Sequence, residues 1–285
     1  MEPKKNCGTI AIVGQPNVGK STLLNYFVGT KLSITSRKAQ TTRYQLLGIC
    51  SEGNTQYIFV DTPGYQLRHL NMMNRSLNKT VHQALKDVDV ILFMIGPGVL
   101  DEIDSKILKM IPEVTPIVLA INKVDLLKEK SKLLGFIKEL DAIDRFKAIV
   151  PISVKKSNNL EPLKHALKSF LPEQEFIFSR DELTDKNERF LSAEIVREKV
   201  FRLTGQELPY SIAVEIEKFE IIEGVRRIFA AIILDRDAHK PMIIGKNGKR
   251  LKEISTSSRR DMEKLFGSKV WLEICLLYTS DAADE

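Results

Sequence analysis

Residues Gly14-Gln15-Pro16-Asn17-Val18-Gly19-Lys20-Ser21 fit G-x-x-x-x-G-K-[ST]. The apolar run Thr9–Val13 enters this stretch, and Ser21–Phe27 leaves it with helical periodicity. A strand, a glycine loop and a helix in that order confine the first half of the chain to an α/β core. Such a loop cradles an anion only where its N–H groups turn inward at a strand end and a helix N-terminus follows. Gly14 and Gly19 supply the backbone freedom. Lys20 supplies a point charge for the outer phosphates of a polyphosphate, and Ser21 a hydroxyl for Mg²⁺.

Further apolar runs lie at Tyr57–Val60, Val88–Ile95, Ile117–Ile121 and Ala148–Ile152, with helical patterns between them. That alternation predicts a parallel sheet with helices on both faces. Leu160, Leu163, Leu167 and Phe170 recur at helical spacing until Leu171-Pro172, which bounds a first domain over residues 1–172. Glu173–Lys186 reads as a linker, and Asp185 with Glu188 as a capping box. A different pattern follows: a helix carrying Phe190, Ala193, Val196, Val200 and Leu203, then strands at Ile212–Ile216 and Arg227–Leu234 around Glu223-Gly224. Helices over Lys240–Ile244 and Lys249–Phe266 and a last strand at Val270–Ile274 complete a smaller α+β domain, residues 187–275, of order α-β-β-α-α-β.

Two more motifs sit where strands of the first domain should end, which is where open parallel sheets bind ligands. In Asp61-Thr62-Pro63-Gly64 the carboxylate can hold Mg²⁺ and the Gly64 N–H can sense a γ-phosphate. In Asn122-Lys123-Val124-Asp125 the Asp125 carboxylate can accept from both N1–H and the 2-amino group of guanine, while adenine would leave it unpaired. Lys123 can lay its stem over the base, and Ser153-Val154-Lys155 can present a backbone N–H to the guanine carbonyl. Three motifs in this order point to GTP and GDP. Gln40-Thr41-Thr42-Arg43 fits equally a plain polar loop or a switch whose threonine reaches Mg²⁺ beside a γ-phosphate, and Ser33–Arg37 reads as mobile with it.

The second domain carries Ile243-Ile244-Gly245-Lys246-Asn247-Gly248-Lys249-Arg250 between two helices. A G-x-x-G loop in this element order is how K-homology domains clamp about four nucleotides of single strand. From Arg236 to Arg260 there are eight Lys and Arg against Asp237 and Glu253. The candidate RNA-binding residues are Ile244, Gly245, Lys246, Asn247, Gly248, Lys249 and Arg250. A net charge of +6 suits an anionic partner. Three cysteines, Cys7, Cys50 and Cys275, without CxxC spacing argue for a reducing compartment and against a disulfide framework. The polar start Met1–Lys5 shows no signal peptide, and the longest apolar runs are too short to cross a bilayer, so a cytoplasmic location is expected.

With both halves read, the chain resembles the bacterial Era GTPases from about Gly8 to Ile274. The matching stretches are Ile12–Ser21, Ser33–Arg43, Leu208-Pro209-Tyr210-Ser211 and the Gly245–Gly248 loop. The resemblance implies a Ras-like P-loop GTPase domain joined to a type II K-homology domain, binding to the 3′ end of small-subunit ribosomal RNA, and a role in assembling that subunit. It implies Thr42 as a Mg²⁺ ligand beside Ser21 and Asp61, and Lys20, Thr42, Asn17 and Gly64 as the catalytic set. Related GTPases with Asn at the place of Asn17 use K⁺, which makes K⁺ a second expected cofactor. A monomer is expected, with weak peripheral association at the inner face of the cell membrane. Val154 stands where the family usually has Ala, and Tyr65 where many GTPases have a water-orienting Gln. Residues 275–285 lack the family's basic C-terminal character and read as a non-native tail, expected to fray. Two other readings compete: a GTP-gated RNA-binding scaffold with negligible turnover, and a membrane-surface regulatory GTPase.

Overall fold

A computed structural model describes residues 4–35, 42, 44–65, 72–204 and 212–278. The chain divides into two compact units, the first of residues up to Asp185 apart from a short stretch beginning at Ile34, and the second of that stretch together with the chain from Lys186. The first contains β1 (Asn6–Gly14), α1 (Lys20–Val28), β2 (Leu46–Glu52), β3 (Thr55–Asp61), α2 (Met72–Ala84), β4 (Val90–Ile95), α3 (Glu102–Met110), β5 (Ile117–Ile121), α4 (Lys130–Asp141), β6 (Ala148–Pro151) and α5 (Leu160–Lys168).

Its sheet has the order β2-β3-β1-β4-β5-β6. β1, β3, β4, β5 and β6 run parallel, in the register Ile10↔Phe59 and Ile10↔Val90. β3, β4 and β5 are buried along their whole length, as expected of a sheet covered on both faces. Phe59 and Phe93 are fully buried, and each such side chain stabilises the fold by about 1.5–3 kcal/mol. Because the strands are parallel, their carboxyl ends at Gly14, Asp61, Ile95, Ile121 and Pro151 share one edge.

The parallel sheet expected from the sequence gains one strand that the apolar runs did not reveal. β2 is an antiparallel edge strand against β3, in the register Leu46↔Asp61 to Glu52↔Thr55. Gly48 masks it in the sequence. A Cβ there would lie 2.4 Å from Leu24 Cδ1, so α1 packs directly on the strand backbone. The stretch read as a linker also lies on this unit. Ile49 N donates to Leu183 O at 2.9 Å, and Ile177 N and Phe178 N both donate to Oε1 of the buried Gln56 at 3.0 Å. Its backbone covers an otherwise open sheet edge.

The second unit contains α6 (Glu188–Leu203), β7 (Ile212–Ile222), β8 (Val225–Leu234), α7 (Lys240–Ile244), α8 (Lys249–Phe266) and β9 (Val270–Tyr278). The element order and the three helices of the second unit match the sequence reading. The cap of α6 does not: Asn187, rather than Asp185, accepts from Phe190 N at 2.9 Å. Asp185 Oδ1 instead accepts from Leu47 N at 2.9 Å within the first unit. β7 and β8 pair antiparallel around Glu223 and Gly224, both at positive φ, and β8 pairs parallel with β9. Val196, Val200, Ile228, Ile232, Ile254 and Met262 form the core under the sheet.

The expectation of a frayed end from Cys275 is corrected for residues 275–278. β9 continues in register from Ala231↔Cys275 to Leu234↔Tyr278. β8 still offers ladder groups there, and Leu276 continues the inward alternation of Leu272 and Ile274 against the core. Residues 279–285 lie outside the described part, as do Gln40, Thr41, Arg43, Ser36–Ala39 and Leu208–Ser211.

Candidate nucleotide site and nucleic-acid loop

Gly14 ends β1 at φ 147°, and a Cβ there would sit 2.2 Å from Met94 O, so only glycine fits between β1 and β4. The loop then turns through Asn17 at φ 64° and Gly19 at φ 112° into α1. Lys20 Nζ donates to Gly14 O at 3.0 Å and to Gln15 O at 2.9 Å, so the ammonium is held inside the curl of the loop. Burial pushes Lys20 down to about 8, against the opposing pull of the Asp61 charge.

Ser21, Thr42 and Asp61 come together as the sequence predicts for a Mg²⁺ site. Ser21 Oγ donates to Asp61 Oδ2 at 2.9 Å and lies 3.0 Å from Thr42 Oγ1. Asp61 is fully buried, and its Oδ1 has no hydrogen-bond partner among the described residues. Burial raises its carboxyl above the usual range, and the Ser33 hydroxyl and Lys20 charge pull it back. Two hydroxyls and a buried carboxylate with an unused oxygen are a hard-oxygen donor set that fits Mg²⁺.

Ser33 is a site residue that sequence reasoning missed. Its hydroxyl donates to Asp61 Oδ2 at 2.6 Å. Asn25 on α1 sets its position: Oδ1 accepts from Leu32 N and Ser33 N at 2.9 Å, and Nδ2 donates to Ser33 O at 2.8 Å. No spacing rule joins an asparagine on a helix to a loop seven residues on.

After Asp61, Thr62 Oγ1 donates to Ile12 O at 2.7 Å. Pro63 leads into Gly64, where a Cβ would come within 2.8 Å of Pro16 Cα, so this turn lies directly on the phosphate loop. Tyr65, in the place of a water-orienting glutamine, packs against the first unit's core and meets the His82 ring edge-on at 6.3 Å.

The base-selecting motif is cross-braced. Buried Asn122 donates from Nδ2 to Val18 O at 2.7 Å and accepts at Oδ1 from Val154 N at 3.1 Å. It thus ties the phosphate loop to the segment after β6, a scaffolding duty beyond its expected place among the GTP contacts. Lys123, at φ 65°, donates from Nζ to Asn17 O at 2.6 Å, so its stem crosses from one loop to the other. Val124 starts a single 3₁₀ turn that carries Asp125. Asp125 Oδ1 accepts from Ser153 Oγ at 2.6 Å, and that hydroxyl accepts from Lys156 N at 3.2 Å. Lys155 lies between these braced positions, exposed.

In the second unit the predicted loop joins α7 to α8. Gly245 is at φ 70°, Asn247 at 53° and Gly248 at 71°. A Cβ on Gly245 would lie 2.7 Å from Arg250 Cβ, whereas Gly248 faces open space. Lys246, Asn247 and Lys249 are exposed and Ile244 is half-buried. Arg250 differs from expectation in one respect: its guanidinium donates to Met242 O, bracing the loop from behind.

Comparison with known proteins identifies this arrangement. A family model described as "50S ribosome-binding GTPase" matches residues 9–123, and one described as "KH domain" matches residues 207–275. GTPase Era of Nitrosomonas eutropha is 48% identical over 278 residues, covering 98% of this chain and 94% of that protein. The chain belongs to the Era GTPase family. GTPase Era of Chromobacterium violaceum is 45% identical over 280 residues, covering 98% of this chain and 95% of that protein. A solved Aquifex aeolicus Era variant bound to GDP·AlF4⁻ superposes with a TM-score of 0.91 at 41% identity, covering 96% of this chain and 94% of that one. An Era solved with MgGDPNP and nucleotides 1506–1542 of 16S ribosomal RNA gives 0.90 at 41% identity, with the same coverage. Era membership accounts for both units at once, since the family joins a GTPase domain to a KH domain. Among the described residues no helix is long and apolar enough to cross a membrane.

Proposed function

We propose that this Era-family GTPase binds GTP through residues 14–21, 61–64, 122–125 and 153–155, hydrolyses it with Mg²⁺, and uses the nucleotide state to control binding of the 3′ end of small-subunit ribosomal RNA during assembly of that subunit. The observation that carries the reading is the meeting of Lys20, Ser21, Thr42 and Asp61 beside a braced Asp125. The first four serve the phosphates and Mg²⁺, and the fifth serves the base. The RNA part is supported by the G-x-x-G loop with exposed Lys246 and Lys249, and by the related Era solved with MgGDPNP and a 16S segment.

K⁺ is the second cofactor in this reading, held in part by Asn17. Tyr65, packed against the core, stands where many GTPases have a water-orienting glutamine, and a cation can supply charge compensation in the transition state. The protein acts as a cytoplasmic monomer, and any association with the membrane is weak and peripheral, through its basic surface.

The test is paired. Phosphate release at saturating GTP separates an enzyme from a scaffold with negligible turnover. RNA gel shift with a 3′-end oligonucleotide, run with GDP and with a non-hydrolysable GTP analogue, separates an RNA-directed protein from a vesicle-directed one assayed by liposome flotation. No phosphate release, or flotation without a gel shift, overturns the reading.

A further inference from the structure

Ser21 and Asn25 stand one turn apart on α1, so their side chains share a face of that helix. Each reaches Asp61 by its own route. Ser21 does so directly, Oγ donating to Oδ2 at 2.9 Å. Asn25 does so through Ser33. Its Oδ1 accepts from Leu32 N and Ser33 N at 2.9 Å, and its Nδ2 donates to Ser33 O at 2.8 Å. The Ser33 hydroxyl then donates to the same Asp61 Oδ2 at 2.6 Å. The four residues close a ring that starts and ends on α1 and passes through Asp61 at the carboxyl end of β3. Ser33 is 5% exposed and Asp61 0%. Burying a hydroxyl and a carboxylate is unfavourable unless they pair, and packing alone would be served by an alanine at position 33. The ring spends Asp61 Oδ2 on two hydroxyls and leaves Oδ1 with no hydrogen-bond partner among the described residues.

A carboxylate free to swing would offer either oxygen to a cation and lose orientational freedom on binding it. Held at one oxygen, it presents the other at no such cost. We propose that Ser33, held by Asn25, is a positioning residue for Mg²⁺-dependent GTP binding: it pins Oδ2 of Asp61 so that Oδ1 stays available to the metal's shell. The inference rests on the nucleotide reading above, with Ser21, Thr42 and Asp61 as the Mg²⁺ set. Hydrogen bonds that fix a ligating side chain commonly carry about 10–100-fold in metal affinity. Ser33 also lies on the segment that leads to Thr42, so the bond that orients Asp61 fixes the start of that segment as well. Among the described residues its hydroxyl bonds Asp61 alone, and neither Lys20 nor Asp125. Nucleotide binding without metal therefore does not pass through it.

The test titrates Mg²⁺ against binding of a fluorescent non-hydrolysable GTP analogue to the whole protein, in wild type, Ser33→Ala and Ser33→Cys. Thermal melts of each are taken in EDTA, in EDTA with analogue, and in Mg²⁺ with analogue. The cysteine keeps the shape of the side chain but is a weak donor. Both variants should need about tenfold more Mg²⁺ for half-maximal tightening, while their affinity for the analogue in EDTA stays that of wild type. The rise in melting temperature from analogue alone should match wild type, and the further rise from a sub-saturating Mg²⁺ concentration should shrink. Asn25→Ala should also raise the Mg²⁺ requirement. Its double variant with Ser33→Ala should raise it no further than the larger single effect, because Asn25 acts through Ser33. An unchanged Mg²⁺ midpoint in Ser33→Ala, or a wild-type midpoint in Ser33→Cys, would overturn the proposal. So would an affinity reduced as much in EDTA as in Mg²⁺, which marks a merely structural residue. Additive losses in the double variant would refute the relay from Asn25. A wild type that binds the analogue without responding to Mg²⁺ refutes the metal set, and one that does not bind it refutes the nucleotide reading itself.

Discussion

Ser153 Oγ donates to Asp125 Oδ1 at 2.6 Å, so a residue on the loop after β6 orients the carboxylate on the loop after β5. The base-reading acid is thereby aimed before any base arrives. Ser153→Ala should lose about 1 kcal/mol of guanine-nucleotide affinity, several-fold in Kd, without gaining affinity for ATP. Asp125→Asn should shift preference towards xanthine nucleotides, because an amide can donate to the 2-carbonyl of xanthine where guanine presents a donor. Fluorescence titration with the three nucleotides checks both, and equal ATP and GTP affinity in the wild type would count against the base assignment.

Asn122 bridges Val18 O and Val154 N. Asn122→Ala leaves both groups buried without their partner, at a cost of about 1–3 kcal/mol each. The expected result is a lower melting temperature together with weakened GTP binding, read by thermal melts with and without nucleotide. A variant that loses affinity at unchanged stability would mean that Asn122 acts on the base alone.

Lys20 offers a signature in proton uptake. Its folded value of about 8 lies below the ordinary 10.5. Between those values the unfolded chain keeps a proton that the folded protein has shed, so this group makes the fold more stable as pH rises from 8. A triphosphate beside the ammonium raises its value again, and GTP binding at pH 9 should take up close to one proton, an order-of-magnitude expectation from that shift. Calorimetry in buffers of different ionisation heat measures this. Identical heats would refute it, and Lys20→Ala should lose both the uptake and tight triphosphate binding.

The two glycines of the RNA loop should respond differently. Gly245→Ala forces a Cβ to 2.7 Å from Arg250 Cβ, whereas Gly248→Ala meets open space and only left-handed strain, about 1–2 kcal/mol. Gel shifts should therefore show RNA binding nearly lost in the first and reduced in the second, with GTP affinity intact in both. Aspartate at either position should remove RNA binding by charge repulsion as well. Equal retention in the two alanine variants would argue against close backbone approach at Gly245.

If K⁺ serves as proposed, turnover should be markedly faster in KCl than in NaCl at equal ionic strength, and Asn17→Ala should abolish the difference. A K⁺ response that survives the substitution would remove Asn17 from the role.

Much of this protein is legible in its sequence, because its motifs depend on local geometry. Gly14, Gly19 and Gly245 occupy positions where the backbone turns through positive φ or lies against another chain segment, so a short pattern carries the constraint. The apolar runs of β1, β4 and β5 are equally plain, since strands buried on both faces need no polar alternation. What tertiary structure alone decided depends on residues far apart in the chain. Ser33 meets Asp61 across 28 positions, Asn122 meets Val18 across 104, and Gln15 meets Asp101 across 86. β2 stayed hidden because its Gly48 makes room for Leu24, and β9 ran past Ile274 because β8 was there to pair with it. A polar side chain shows its type in the sequence, but its partner is set only when the sheet brings the loops at its carboxyl edge together, and burial then makes an unpaired donor or acceptor costly.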